Sequence, residues 1–375
     1  MPPVPTAWAD RWLNWRNRLV ARPRFQRWAA GFPLTRRIAR RNTRALFDLC
    51  AGFVYAQVLT ACIRLDLFGI LADGPLSVAA LALHLDLPPE NARRLLRAAE
   101  SLGLVRALSG DRFGLADLGA ALVGNPGIAA MVEHHALLYA DLADPVALLR
   151  GPARPTHLSG YWPYATGSEG DPDSVARYSG LMGTSQAMIA EDVLDAFDLS
   201  RVGHLIDVGG GEGAFLEAVA ARHAAPLLTL FDLPAVAARA EARLAQAGLD
   251  RRIACRGGDF HMGLPEGADA ISLVRIVHDH DDGPAQALLG AAHAALAPGG
   301  TLLLAEPMAG TPGAEPVGDA YFGFYLLAMG SGRPRRAEEL HAMLHAAGFA
   351  AVRERKTRRP LLARVLVAQK TGDIS

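Results

Sequence analysis

His278 and Asp279 follow an apolar run, Ser272-Leu273-Val274-Arg275-Ile276-Val277, and Glu306 closes another, Leu302-Leu303-Leu304-Ala305. An imidazole changes charge near neutral pH, so His278 can take a proton and release it later. A carboxylate beside it, Asp279 or the more distant Glu306, can orient the ring. The run His278-Asp279-His280-Asp281 also offers metal-ligand types. Neighbouring residues on an extended segment point opposite ways and converge poorly on one ion, so no metal is expected. Upstream, Ile206-Asp207-Val208-Gly209-Gly210-Gly211-Glu212-Gly213 has the pattern of a strand, a tight turn and the start of a helix. Gly209 and Gly211 let backbone approach a ligand, because no Cβ intervenes. In Phe231-Asp232-Leu233-Pro234 a carboxylate falls where a second strand should end, and Asp232 there can accept both hydroxyls of a ribose. These types and spacings describe proton transfer beside a bound nucleoside.

The glycine spacing alone also fits the dinucleotide fingerprint of a dehydrogenase. Asp207, just before the glycines, and Glu212, inside the turn, decide against it, since both would repel a pyrophosphate. Neither repels a cofactor that carries a sulfonium and an ammonium, which points to S-adenosylmethionine. Further on, Gly257-Gly258-Asp259-Phe260 follows a short strand. By itself this is an ordinary Gly-Asp turn. Placed after Asp232, it puts Asp259 where an adenine amino group can donate to it and Phe260 where it can cover the ring.

These residues need a sheet to bring them together. Residues 203–208, 227–231, 270–275, 301–306 and 364–369 read as strands separated by helical stretches, the alternation of an α/β, Rossmann-like doubly wound domain over 201–375. Residues 126–200 read as a mostly helical linker and substrate-pocket segment, interrupted by a proline-rich loop at 151–155. Residues 45–125 read as a small winged-helix-like domain. Ser77 caps one helix there, Glu90–Leu102 forms the next, and Arg112–Leu115 makes a hairpin strand. Such a module reads DNA through its second helix, here with Arg93, Arg94 and Arg97, or serves as a dimerisation platform; the second reading is preferred.

The 375 residues balance 38 basic against 38 acidic side chains. That balance hides an asymmetry, because residues 1–44 hold eleven arginines and a single acid, Asp10. The rest of the chain is correspondingly acidic, which argues against a nucleic-acid partner. Four of the five tryptophans, Trp8, Trp12, Trp15 and Trp28, also lie in this arm. Spaced four and three apart, the first three share one helical face. The arm then either lies on an anionic membrane or covers the body or a partner subunit. Cys50, Cys62 and Cys255 are too sparse for a disulfide frame or a metal knuckle. No signal peptide is expected, and Leu49–Ile63 is short for a membrane span. The expected location is cytoplasmic, with the arm placed for peripheral contact with the inner membrane.

Jointly, Asp207-Val208-Gly209-Gly210-Gly211-x-Gly213, Phe231-Asp232-Leu233-Pro234, Gly258-Asp259 and His278-Asp279 resemble the motifs of the caffeate-type O-methyltransferase family, over roughly residues 45–370. The resemblance implies a methyltransferase domain behind a helical dimerisation domain, and a homodimer. It implies that Gly209, Asp232, Asp259, Phe260 and Arg275 contact S-adenosylmethionine; Asp207, Gly211 and Leu233 complete the expected cofactor set. It makes His278 the general base and Glu306 one of its carboxylate partners. Arg275 stands where many relatives have lysine. Near Gly332-Arg333-Pro334-Arg335 relatives often offer a second glutamate, and this chain has Pro334.

A narrower likeness rests on Arg24-Phe25-Gln26-Arg27-Trp28, Phe32-Pro33-Leu34-Thr35-Arg36 and Glu133 to Leu142. These look like the purple-bacterial members of the family that act on acyclic carotenoids, over nearly the whole chain. That likeness implies a hydrophobic carotenoid substrate with a tertiary hydroxyl. The apolar run Tyr321–Met329 agrees with such an acceptor, and Met131, Met182 and Met308 are expected near the pocket walls, although any one of these side chains is also ordinary core.

Overall fold

The computed structural model describes residues 7–151, 154–161, 186 and 188–372. The chain divides into two compact units, Met1–Asn125 and Pro126–Ser375.

In the first unit, helices α1 (Ala7–Val20), α2 (Pro23–Gly31) and α3 (Arg36–Arg64) follow one another. Pro23 opens α2, where its missing N–H costs no helical hydrogen bond. Helix α3 runs 29 residues without a break, so the expected boundary at 44/45 falls inside it. The last part of the basic arm, from Arg36, and the apolar stretch are one helix. The apolar stretch is thus not the short segment that Leu49–Ile63 suggests: α3 is long and apolar enough, by length and composition, to cross a membrane. Its buried residues are Thr60 and Cys62, while Leu46, Phe47, Leu49 and Phe53 are exposed.

Beyond α3, the unit closes with α4 (Leu67–Ala72), β1 (Leu76–Ser77), α5 (Val78–His84), α6 (Pro89–Ser101), β2 (Val105–Leu108), β3 (Arg112–Leu115) and α7 (Asp117–Val123) around Phe68, Leu81, Leu96 and Phe113. The Ser77 hydroxyl accepts the Ala80 N–H at 3.2 Å and so caps α5. Strands β2 and β3 pair antiparallel as the hairpin, with β1 on the other side of β3. Arg93 of α6 donates to both carboxylate oxygens of Asp111 in the hairpin turn, at 2.6 and 2.7 Å. One of the three arginines that a DNA-reading helix would need is thereby engaged within the unit.

The second unit opens with α8 (Pro126–Asp141). Helical residues 188–196 then bury Ile189, Ala190, Val193 and Leu194 in the same core as Leu205, Leu230 and Leu303. This part of the segment expected as a linker belongs to the main core. Met182 lies outside the described residues.

Seven strands form the sheet: β4 (His204–Val208), β5 (Leu227–Asp232), β6 (Ile253–Gly257), β7 (Ala268–Val274), β8 (Leu296–Glu306), β9 (Ala351–Arg355) and β10 (Arg364–Gln369). Their order is β6-β5-β4-β7-β8-β10-β9. The first five run parallel, and β10 lies antiparallel between β8 and β9. Ile206, Ile271, Leu273, Leu302, Leu303 and Leu304 are fully buried, as strands covered on both faces require. From β4 the chain winds outward to β6, then returns to lay β7 on the other side of β4. That reversal opens a crevice beyond the carboxyl ends of β4 and β7. Strand β9 was not anticipated. It is a sheet edge bearing exposed Arg353, Glu354 and Arg355, without the apolar alternation that announces a strand.

Candidate active site

A cavity of about 410 Å³ occupies this crevice, a size typical of small-molecule sites. Gly209, Gly211, Asp232, Leu233, Asp259, Phe260, Arg275, His278 and Asp279 all line it. Asp207 and Glu306 do not, and both turn out to act on backbone or structure behind the wall.

The glycine side is built from backbone. Gly209 has φ +70°, and a Cβ on it would lie 2.7 Å from the Ile276 side chain. Gly211 has φ +57° with open space on its Cβ side, and its N–H donates to Asp232 Oδ2 at 2.8 Å. Asp232 Oδ1 accepts the Leu233 N–H at 2.7 Å. Burial pushes the Asp232 carboxyl up to about 6. Each of its oxygens keeps a second lone pair for a hydroxyl donor. Asp207 sits beneath the turn, 1 % exposed, where Oδ1 accepts the Ser272 hydroxyl at 2.6 Å. Burial pushes this carboxyl up to about 7, and Asp232 adds to the shift. Asp207 therefore lies beneath the turn and does not line the cavity: a Cβ on Gly210 would lie 2.6 Å from its Oδ2. Its repulsion of a phosphate is weaker than the sequence suggests, because a carboxyl so buried is partly neutral. Glu212 does line the cavity. Arg243, which sequence reading missed, fixes this turn by donating to the Glu212 carbonyl at 3.0 Å and to Glu217 Oε2 at 2.6 Å.

Beside β6, Gly258 donates to the Asp232 carbonyl at 2.9 Å, and a Cβ on it would lie 2.6 Å from the Phe231 ring. Asp259 caps the short turn Phe260–Met262, its Oδ1 accepting the His261 N–H at 2.9 Å. The Phe260 ring lies 4.2 Å from that of His261 and 5.2 Å from that of His280.

The opposite wall is built from buried titratable groups. After β7 the chain kinks at Arg275, which adopts φ +57°, a conformation that costs a side-chain-bearing residue roughly 1–3 kcal/mol. Its N–H donates to the Ala305 carbonyl at 2.8 Å, extending the tie to β8. The kink feeds the single turn Val277–Asp279. There His278, 3 % exposed, brings Nε2 to 3.2 Å from Asp279 Oδ1. Its Nδ1 is buried with no hydrogen-bond partner among the described residues.

Glu306 differs from the expectation that it orients the ring. Its Oε2 accepts the backbone N–H of His278 at 3.0 Å, so it holds the main chain of the turn, and Asp279 is the carboxylate at the imidazole. The reason is topological: β8 lies directly beside β7, and its terminal carboxylate meets the first free N–H groups after β7. Burial, followed by the nearby Arg275, Arg335 and His280 charges, holds the His278 imidazole well below its usual range. Burial raises Asp279, and it pushes Glu306 up to about 8 against the pull of Arg335.

Arg335 is the largest departure from the sequence reading. Fully buried, it donates to the Val277 carbonyl at 2.9 Å, the His280 carbonyl at 2.8 Å and Asp282 Oδ1 at 2.9 Å. Arg333 N–H and the Ser331 hydroxyl add bonds to the His278 and Asp279 carbonyls, both at 2.9 Å. Gly332 admits this approach, since a Cβ there would collide with the His278 carbonyl. Where the resemblance implies a second glutamate, this segment clamps the turn with backbone, the Ser331 hydroxyl and the Arg335 guanidinium.

Phe322, Tyr325, Leu326 and Met329 complete the lining, and the Phe322 ring lies 5.7 Å from that of His278. Tyr325 and Tyr321 are held by His134 and His135 of α8, each pair 2.8 Å apart. Met131 meets the Tyr321 hydroxyl through sulfur at 3.7 Å. Met308, 1 % exposed, belongs to the core below the sheet and not to a pocket wall.

The chain matches two family models, an O-methyltransferase dimerisation domain over residues 47–125 and an O-methyltransferase domain over 139–350. It is 44 % identical to the demethylspheroidene O-methyltransferase of Cereibacter sphaeroides, covering 95 % of this chain and 94 % of that one. Identity to the Rhodobacter capsulatus enzyme of the same name is 40 %, over 96 % and 90 %. Identity to mouse acetylserotonin O-methyltransferase is 32 %, over 85 % and 87 %. Human N-acetylserotonin methyltransferase, solved with S-adenosylmethionine, superposes with a TM-score of 0.71 at 25 % identity, over 88 % of this chain and 98 % of that one.

Proposed function

Because this chain belongs to the O-methyltransferase family, as an S-adenosylmethionine-dependent enzyme with its own dimerisation domain, we propose that its acceptor is the hydroxyl of an acyclic hydroxylated carotenoid of the demethylspheroidene or 1-hydroxyneurosporene type. The names of the 44 % and 40 % identical relatives support that acceptor over nearly the full chain. One observation carries the catalytic reading: His278 shares a single cavity with Asp232 and faces an apolar, aromatic wall.

The cavity suits the cofactor by its own chemistry. Gly211 leaves open space on its Cβ side, and Asp232 has acceptor capacity to spare at the tip of β5. In this reading Gly209, Gly211, Asp232 and Leu233 hold the ribose and the adjoining chain, Asp259 and Phe260 meet the adenine, and Arg275 and Glu212 lie along the wall. When bound, S-adenosylmethionine supplies an electrophilic methyl group.

His278 takes the acceptor's hydroxyl proton as that oxygen becomes nucleophilic, which contributes about 10²–10⁴-fold. Its lowered pKa keeps the imidazole neutral and ready as a base throughout the neutral range. Asp279 fixes the ring and offsets the charge that develops on it. Glu306 and Arg335 hold the turn, and so act on the base through its backbone. An aliphatic alcohol is a weak nucleophile, so exclusion of water by Phe322, Tyr325, Leu326 and Met329 and exact placing of the oxygen matter most. A polyene acceptor resides in a bilayer, and on this reading the homodimer works in the cytoplasm against the inner membrane.

Mass spectrometry of carotenoid extracts incubated with the enzyme and a deuteromethyl donor tests the acceptor. A deuteromethyl ether on an acyclic tertiary alcohol is expected. Label appearing only on small aromatic hydroxyl compounds would move the acceptor toward that of the acetylserotonin enzyme.

A further inference from the structure

Helix α1 carries Trp8, Trp12, Trp15 and Leu19 on one face, at spacings of four, three and four. The three indoles are 70 %, 49 % and 62 % exposed. Arg11 and Arg18 flank this ridge on one side and Arg16 on the other, with the Arg16 guanidinium 5.8 Å from the Trp12 ring. Asp10, Asn14 and Asn17 occupy the back of the helix. Helix α2 repeats the pattern. Its Trp28 stacks on Phe32 at 4.9 Å and meets Phe25 at 5.5 Å, with Arg24 and Arg27 alongside. All eleven arginines of residues 1–44 are exposed. Water is a poor environment for four exposed indoles. A protein partner matched to this surface would need both a deep apolar groove and an acidic rim, whereas an anionic bilayer interface provides both at once.

We propose that α1 and α2 form a docking surface for an anionic lipid bilayer, with the indoles seated at headgroup depth and the arginines on lipid phosphates. Charge complementarity selects the lipid: this arm carries one acid against eleven arginines. The position of the arm argues against a second copy of the chain, because residues 1–46 lie outside the dimerisation-domain match while the exposed apolar residues Phe47, Leu49 and Phe53 of α3 lie inside it. Indoles favour the bilayer interface, and each basic side chain near an anionic surface adds attraction that salt screens. Through α1 and α2 the arm thus holds the enzyme on the bilayer surface.

The test uses the full-length protein and vesicles free of any carotenoid, so its outcome is independent of the acceptor. Co-sedimentation is measured with phosphatidylcholine alone and with phosphatidylcholine mixed with phosphatidylglycerol, at rising salt. Binding to the mixed vesicles is expected, with a blue shift of tryptophan emission, and it should weaken as salt rises. Trp12→Ala with Trp15→Ala, and separately Arg16→Gln with Arg18→Gln, should each lower partitioning about tenfold or more while the elution volume of the dimer is unchanged. Equal affinity for neutral and anionic vesicles, or no affinity for either, overturns the proposal. So does a tryptophan variant that loses its dimer yet keeps wild-type lipid binding, which would give the face to a second copy.

Discussion

Around Gly209 and Gly211 the cavity wall is bare backbone, and around His278 it is a nest of ionisable side chains with almost no access to water. The glycine half makes its shape by omission: a Cβ at 209, 210 or 258 would strike Ile276, Asp207 or Phe231. Asp232, which lines the cavity on this side together with Glu212 and Asp259, is tied to two N–H groups of adjoining backbone. The His278 half makes its shape by compensation. His278, Glu306 and Arg335 are buried beside the partly buried Asp279, and burial together with the nearby arginine charges shifts the imidazole and both carboxyls. Low dielectric makes such a cluster costly if incomplete and well ordered if complete. The first half is therefore suited to binding and the second to chemistry, and substitutions in the two should fail in different ways.

His278→Ala should show the largest effect. Turnover is expected to fall about 10²–10⁴-fold, with the dissociation constant for S-adenosylmethionine, measured by calorimetry, nearly unchanged. In the wild type the lowered pKa of His278 predicts that any loss of turnover from protonation of the imidazole falls on the acid side of 6.5. Equal losses in turnover and cofactor affinity would erase the division between the two halves.

Asp232→Ala should show the converse with a smaller amplitude. Removing a charged acceptor costs about 1.5–3 kcal/mol, which is a rise of about 10–100-fold in the cofactor's dissociation constant. Asp232→Asn keeps one acceptor oxygen and should fall between. Turnover at saturating cofactor should change less than affinity; a loss confined to turnover would place Asp232 on the chemical side.

The two halves also differ in how much of them the sequence discloses. Glycines and a strand-terminal acid act through local backbone, and a turn flanked by apolar runs is a local pattern. Gly209, Gly211, Asp232 and the strands β4, β5, β7 and β8 are therefore legible. Asp207 was legible as a residue but not in its role, because strand alternation alone does not say which side chains end beneath the turn. On the other side, His278 stands out by type. Its surroundings come from β8, from residues 331–335 and from α8, all distant in sequence. Nothing in Arg333-Pro334-Arg335-Arg336 distinguishes the fully buried guanidinium from its exposed neighbour Arg336. The His134–Tyr325 pair joins positions 191 residues apart. The same limit hides β9, an edge strand with polar residues, and the continuity of α3, which runs through the change in charge at residue 44.

The finest distinction concerns Glu306, which is fully buried and carries one carboxyl oxygen with no partner among the described residues. Burial raises its pKa from 4.5 to about 8. The folded state therefore binds a proton that the unfolded chain has already released over that interval. Stability from this group is full below about pH 4.5 and is lost as pH rises through about 8. Glutamine imitates the protonated carboxyl and still accepts the His278 N–H. Glu306→Gln should match the wild type near pH 5 and become progressively more stable than it as pH rises toward 8, read from urea unfolding. Turnover in the variant should stay within a few-fold at neutral pH, because Glu306 meets the backbone of the turn and not the ring. A stability offset that is constant with pH would mean that Glu306 is ionised throughout. The guanidinium of Arg335 would then dominate burial, and this half of the cavity would contain a true buried ion pair in place of a neutral acid beside a cation.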